Sequence, residues 1–150
     1  MQQFYVDYFE RLERLHDDAK EALHGFEDEQ LSHTPGKDMN SLSVLAVHTA
    51  GAERFWIGDV AMSDPSNRKR DSEFQVSGLG MAELAQKLDL SLAYIQRALE
   101  SLTLEALEKP RTTPDGRKVT VGWCLEHVLA HTATHVGHMQ LTRQFLELEK

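Results

Sequence analysis

Four histidines recur at short intervals near the C-terminal end of the chain, in the stretch from Trp123 to Arg143. They are His127, His131, His135 and His138. On a helical wheel of about 100° per residue, all four fall within a sector of roughly 80°. The apolar residues Leu125, Val128, Leu129, Val136, Met139 and Leu146 lie beside that sector, at roughly 100° to 200°. We therefore predict a helix that carries its histidines as one stripe along the edge of the core.

This spacing suits a divalent metal ion. Imidazoles four residues apart on a helix lie side by side, about one turn apart, and two of their nitrogens can reach one Zn²⁺ at about 2.0–2.1 Å. His127 and His135 stand about 12 Å apart along the axis and cannot share an ion, so only an adjacent pair can chelate. The alternative is a set of core-edge histidines that only form hydrogen bonds. A run of four favours the metal, because neutral imidazole is the commonest metal ligand.

A third ligand must come from another helix, and His48 is the best candidate. It lies on a predicted second helix, where it groups with Leu45, Ala52 and Phe55 on the inward side. Its alternative role is that of a hydrogen-bonded core histidine. Asp59 lies near the same line but about three turns away, beyond reach of the same ion.

The apolar periodicity predicts an all-α fold, a four-helix bundle with a long crossover connection between helices two and three. The polar stretch from Ala61 to Ser77 shows no helical period and is longer than a tight hairpin needs, so it lets helix three run parallel to helix two. The predicted helices are Phe4 to Gly25, Asn40 or Ser41 to about Val60, Met81 to Leu102, and one capped by Thr120; a turn is predicted at Pro114, Asp115 and Gly116.

Helix one presents its predicted core side through residues at spacings of three and four: Phe4, Tyr8, Leu12, Leu15, Ala19 and Ala22. Three further histidines, His16, His24 and His33, have no partner at ligand spacing. We expect them to have surface or capping roles.

The composition describes an ordinary globular protein, with 41% hydrophobic and 27% charged residues. We expect one domain over residues 1–150, located in the cytoplasm, because the N-terminal stretch is not a signal peptide and no apolar run could span a bilayer. Cys124 is the only cysteine, which fits a reducing compartment, and we interpret it as a small buried hydrophobe. The net charge of −8 argues against a nucleic-acid partner.

Two segments resemble the DinB/YfiT-like superfamily: HTAGAERFW in helix two and HVLAHTATHVGHMQLTR in helix four. In that family a four-helix bundle holds a metal through one histidine of helix two and a pair four residues apart on helix four. The resemblance therefore implies His48, His131 and His135 as ligands. Some members resemble transferases of low-molecular-weight thiols such as mycothiol or bacillithiol, and Gly137 and His138 match their pattern. That thiol-transferase branch often has a glutamate in place of His131, so His131 favours the general group of the superfamily over that branch.

Taken together, these observations predict a divalent-metal enzyme that transfers a low-molecular-weight thiol to an electrophile or hydrolyses a small substrate. The metal is most simply Zn²⁺, with Ni²⁺ or Fe²⁺ as alternatives. Three protein ligands leave an open position, as in catalytic zinc sites. We predict His127 and His138 as proton-transfer or supporting groups, and Trp56 and Trp123 as walls of a pocket for substrate or thiol.

Two other functions compete with this prediction. One is a non-catalytic metal-binding or stress-response module, in which the ion only ties helix two to helix four. The other is a metal-free bundle whose histidines only hydrogen-bond. A homodimer is plausible for a small bundle.

Overall fold

The computed structural model describes residues 1–149. The α-helices are α1 (Gln3–Leu23), α2 (Asp28–Ser32), α3 (Leu42–Glu53), α4 (Arg70–Glu73), α5 (Met81–Ser101) and α6 (Val121–Leu148). A π-helical segment, Arg54–Ala61, continues α3, and a 3₁₀ turn spans Leu104–Glu108. Two short antiparallel strands, β1 (Pro110–Thr112) and β2 (Lys118–Thr120), precede α6. The predicted all-α fold is confirmed.

The long helices α1, α3, α5 and α6 form the bundle, with α1 and α3 each packed against both α5 and α6. The Tyr8 hydroxyl donates to the Leu125 carbonyl and Arg143 donates to the Glu21 carbonyl, so α1 and α6 run in the same direction. The helices α3 and α5 are also parallel to each other. Leu45, early in α3, packs in the same apolar cluster as Leu84, early in α5, and Ile57 packs in the other cluster with Ile95, which is later in α5. The crossover between them is therefore confirmed.

A polar layer crosses the middle of the bundle and separates two apolar clusters. It takes one residue from each long helix: His16, Glu53, Ser91 and Thr132, all buried. On each long helix, the last buried residue of one apolar cluster lies three or four positions before the layer residue, and the first buried residue of the other cluster lies three or four positions after it. On α1, for example, Leu12 precedes His16 by four positions and Ala19 follows it by three. The core is thus built as apolar, polar, apolar.

The helices α1, α3 and α6 begin or end at capping residues that the sequence indicates. The Ser41 hydroxyl accepts from the Val44 amide and caps α3, and the Thr120 hydroxyl accepts from the Trp123 amide and caps α6, both at 3.1 Å. Gly25 has a φ of 84° just beyond α1, which favours glycine.

Three sequence predictions about the elements were wrong in detail. His16 is not at the surface: it is completely buried in the polar layer. Phe4 is 46% exposed, and its neighbour Tyr5 fills the core position instead. The connection after Ala61 was predicted without a helix, yet it contains α4. By contrast, His24 and His33 are exposed and lie at the C-terminal ends of α1 and α2, as expected for surface or capping roles. None of the helices described is both long and apolar enough to cross a membrane.

Candidate metal centre

Three histidines predicted from the sequence meet at the seam between α3 and α6. One side-chain nitrogen from each of His48, His131 and His135 lies within 4.8 Å of the other two. The Nε2 atoms of His131 and His135 are 3.1 Å apart. The ring centroid of His48 lies 5.1 Å from the ring centroid of His131 and 4.9 Å from that of His135. We call these residues the three-histidine cluster.

The cluster fits a divalent ion in spacing and in chemistry. Tetrahedral bonds of about 2.0–2.1 Å place ligand atoms roughly 3.4 Å apart, which falls within the 3.1–4.8 Å range of the cluster. The Nδ1 atom of His131 is buried and, within residues 1–149, has no hydrogen-bond partner, while its Nε2 atom faces His135. Neutral imidazole nitrogens suit Zn²⁺, Ni²⁺ and Fe²⁺. The three side chains could therefore hold such an ion.

The surroundings keep two of these imidazoles neutral. Burial, followed by the neighbouring His135 and His48, lowers the pKa of His131 to about 3. Burial, followed by His48 and His138, lowers the pKa of His135 to about 4. A neutral imidazole keeps a lone pair for a metal, whereas a protonated one has none to offer.

Two residues of the crossover connection contact His48 from the outer side. The His48 Nδ1 atom lies 3.0 Å from Glu73 Oε1. Arg68 holds the same carboxylate with two bonds, Nε to Oε2 at 2.8 Å and Nη2 to Oε1 at 2.7 Å. Burial opposes ionisation of Glu73, but the bonds from Arg68 and His48 prevail and its pKa is lowered. The connection between α3 and α5 thus places the ionised carboxylate of Glu73 against His48, a candidate metal ligand.

A pocket of about 550 Å³ opens beside the cluster, lined in part by His48 and His131. His127 and Trp56 form another part of its wall, with ring centroids 4.7 Å apart. Trp123 is not a lining residue but stacks on His127 at 4.8 Å and 11°, so it supports the wall from behind. Burial, and then the charge of Arg117, lower the pKa of His127.

The remaining candidates lie outside the cluster. His138 is exposed, and its Nδ1 atom lies 3.3 Å from Nδ1 of His135. Asp59 is bonded to Arg54 and Ser66. Cys124 is fully buried, in line with its prediction as a small hydrophobe.

Sequence reasoning missed the contacts that surround the cluster. Glu73 gave no signal, because its short helix lies in a polar stretch far from His48 along the chain. Glu53 and His16, in the neighbouring polar layer, did carry one, because each is spaced like the apolar side of its helix. Glu53 is four residues after Thr49 and three before Trp56, and His16 is four residues after Leu12.

The chain is thus a four-helix bundle with a candidate metal site at the seam between α3 and α6. The sequence profile of the DinB superfamily matches residues 11–139, and the chain belongs to that superfamily. Its fold is also similar to the crystal structure of a conserved protein from Enterococcus faecalis, with a TM-score of 0.80 over 100% of both chains and 17% identity. At that identity the likeness shows the fold alone. No curated protein matches the chain.

Proposed function

We propose that this protein is a divalent-metal enzyme in which His48, His131 and His135 hold the ion. The proposal depends chiefly on one observation: three imidazoles from two helices converge at the edge of a pocket large enough for a small molecule. Pockets with a few convergent polar groups and perturbed pKa values are the usual places for catalysis. The reaction that we propose is transfer of a low-molecular-weight thiol to an electrophile, or hydrolysis of a small substrate.

The ligand set favours catalysis over a purely structural ion. Closed structural zinc sites have four protein ligands, whereas catalytic sites typically have three. Among the described residues, the group of possible ligands contains these three histidines and no carboxylate or thiolate. When bound, the ion would supply Lewis acidity and would lower the pKa of a thiol or water that reaches it.

The pocket residues have the properties that such a reaction needs. His127 is neutral at pH 7, since its pKa is lowered, and its ring lines the pocket, so it can accept a proton from an incoming thiol or water. Trp56 and Phe55 add apolar wall, which excludes water from the reacting groups. His138 contacts the outer nitrogen of His135 and supports its orientation.

The test is to replace the metal with Co²⁺ and titrate the protein with cysteine and 2-mercaptoethanol. We expect a sulfur-to-metal charge-transfer band, because a soft thiolate binds such an ion well, followed by turnover with electrophiles. The matched control is His135→Ala, which should give neither signal. A band without turnover would favour a binding module, and turnover of esters or amides without a band would favour hydrolysis.

A further inference from the structure

The outer side of His48 is held by a carboxylate that the folded connection brings from 25 residues away along the chain. Glu73 is 6% exposed, unusual for a glutamate, and it sits on a helix of only four residues. Its two oxygens are engaged by Arg68 in a fork of two bonds, which fixes the carboxylate plane.

The helix that carries His48 is shaped to admit this carboxylate. A Cβ atom added at Gly51, one turn beyond His48, would overlap with Glu73 Oε2 and lie 2.8 Å from its Cδ atom. Gly51 therefore provides the space through which Glu73 crosses α3. A glycine inside a helix is less favourable than alanine, and the room it leaves here is occupied by the Glu73 carboxylate.

We propose that Glu73 is a positioning residue that holds His48 with a proton on Nδ1 and with Nε2 turned toward His131 and His135. This inference deepens the metal site proposed above and rests on it. The His48 Nδ1 atom lies 3.0 Å from Glu73 Oε1 and 3.5 Å from Arg68 Nη2, so its shorter contact is with a carboxylate oxygen. A carboxylate held in the Arg68 fork accepts, so Nδ1 donates to it and the lone pair is left on Nε2. Histidine ligands of metals almost always donate their other N–H in this way.

Arg68 completes the arrangement by balancing charge. A carboxylate alone would reduce the positive charge of an ion held by His48, and with it the acidity of whatever that ion binds. The guanidinium at 2.7 Å offsets this effect while it keeps Glu73 ionised. The triad of Arg68, Glu73 and His48 thus orients the ligand with little change in net charge.

The experiment compares Glu73→Ala, Glu73→Gln and Gly51→Ala with the wild-type protein. The control is Asp64→Asn, which removes one charge from the same connection and weakens its bonds to Arg54 and Tyr94 but does not touch His48. Two quantities are measured: the tautomer of His48 in metal-free protein, by long-range ¹H–¹⁵N NMR, and the Zn²⁺ affinity, by competition with a chelating dye. Far-UV circular dichroism verifies the fold of each variant.

We expect the Nδ1–H tautomer in the wild type and its loss in Glu73→Ala, with a fall in affinity of about 10- to 100-fold. Gly51→Ala should behave like Glu73→Ala, because it displaces an unaltered carboxylate. Glu73→Gln should restore part of the affinity, since its amide oxygen still accepts from Nδ1. Asp64→Asn should leave both quantities unchanged.

Unchanged tautomer and affinity in Glu73→Ala and Gly51→Ala would overturn the inference, and so would an equal loss in Asp64→Asn. The two proposals fail in different ways. A wild-type protein that takes up no metal would disprove the proposed function, while the tautomer of its metal-free His48 would still decide the role of Glu73.

Discussion

The polar layer and the three-histidine cluster are neighbours on α3 and α6, yet their polar atoms are arranged in opposite ways. In the layer, Glu53 Oε1 accepts from His16 Nε2 at 2.9 Å and from Thr132 at 2.7 Å, and its Oε2 accepts from Ser91 at 2.6 Å. The carboxyl group thus bonds one side chain from each of the other three long helices. In the cluster, by contrast, ring nitrogens of three histidines face one another.

This difference separates a structural polar group from one suited to bind an external atom. A buried carboxyl group is tolerated when the chain itself supplies its donors, and the bonds then connect the helices. Two of the converging ring nitrogens can share one hydrogen bond, but a cation can engage all three at once. Burial alone does not distinguish the two cases, since His16 and His48 are both buried.

The largest expected effect comes from breaking the polar layer. Glu53→Ala leaves three donors unpaired in the core, and removal of one partner of a buried pair costs about 3–5 kcal/mol. We expect urea denaturation, followed by tryptophan fluorescence, to show a loss of this size in the metal-free protein. A loss below about 1 kcal/mol would contradict a structural role for the layer.

Removal of the metal should have a smaller effect. At an ion concentration 100 times its Kd, binding adds about 2.7 kcal/mol of stability, which corresponds to roughly 5–10 °C in Tm for a domain of this size. Chelation should lower Tm by that amount while the far-UV circular dichroism stays native, because the apolar clusters remain. Complete unfolding on chelation would instead indicate a structural zinc site.

A change inside the cluster should barely affect the metal-free protein. His135→Ala should alter its stability by less than about 1 kcal/mol, because the hydrogen bonds of the His135 side chain are with the partly exposed His131 and the exposed His138 of the same helix and not with the polar layer. The same variant should lose the ion in elemental analysis of protein prepared without chelators. His127→Ala is the matched control and should retain it while lowering turnover about 100-fold or more. Loss of the ion in His127→Ala together with its retention in His135→Ala would move the ligand pair to His127 and His131.

The smallest effect is expected in the alkylation of Cys124, which belongs neither to the polar layer nor to the three-histidine cluster. Its side chain is fully buried, and burial raises its pKa to about 11, so the native thiol should react very slowly with iodoacetamide at pH 8. The rate should rise in Glu53→Ala, in which the bundle opens more often, and stay unchanged in His135→Ala. Fast alkylation of the wild type would contradict this expectation, because it would show that the end of the bundle around Cys124 opens even with the polar layer and the cluster intact.

Several parts of this protein follow from the local periodicity of its sequence alone. Apolar spacing predicted the four long helices, Ser41 and Thr120 marked where two of them begin, and the length of the connection indicated the parallel run of α3 and α5. The placement of His131 and His135 one turn apart follows from helix geometry alone. Their pairing with His48 came from the inward position of His48 and from the family resemblance.

The pairing of side chains across helices follows from how the helices pack in three dimensions. The sequence predicts a surface or capping role for His16 because no partner at ligand spacing lies on its own helix, whereas its partner Glu53 lies on a different helix. Glu73 reaches His48 only because the connection folds back across Gly51. Contacts of this kind depend on how helices and loops meet in space, and a side-chain period along one helix carries no information about them.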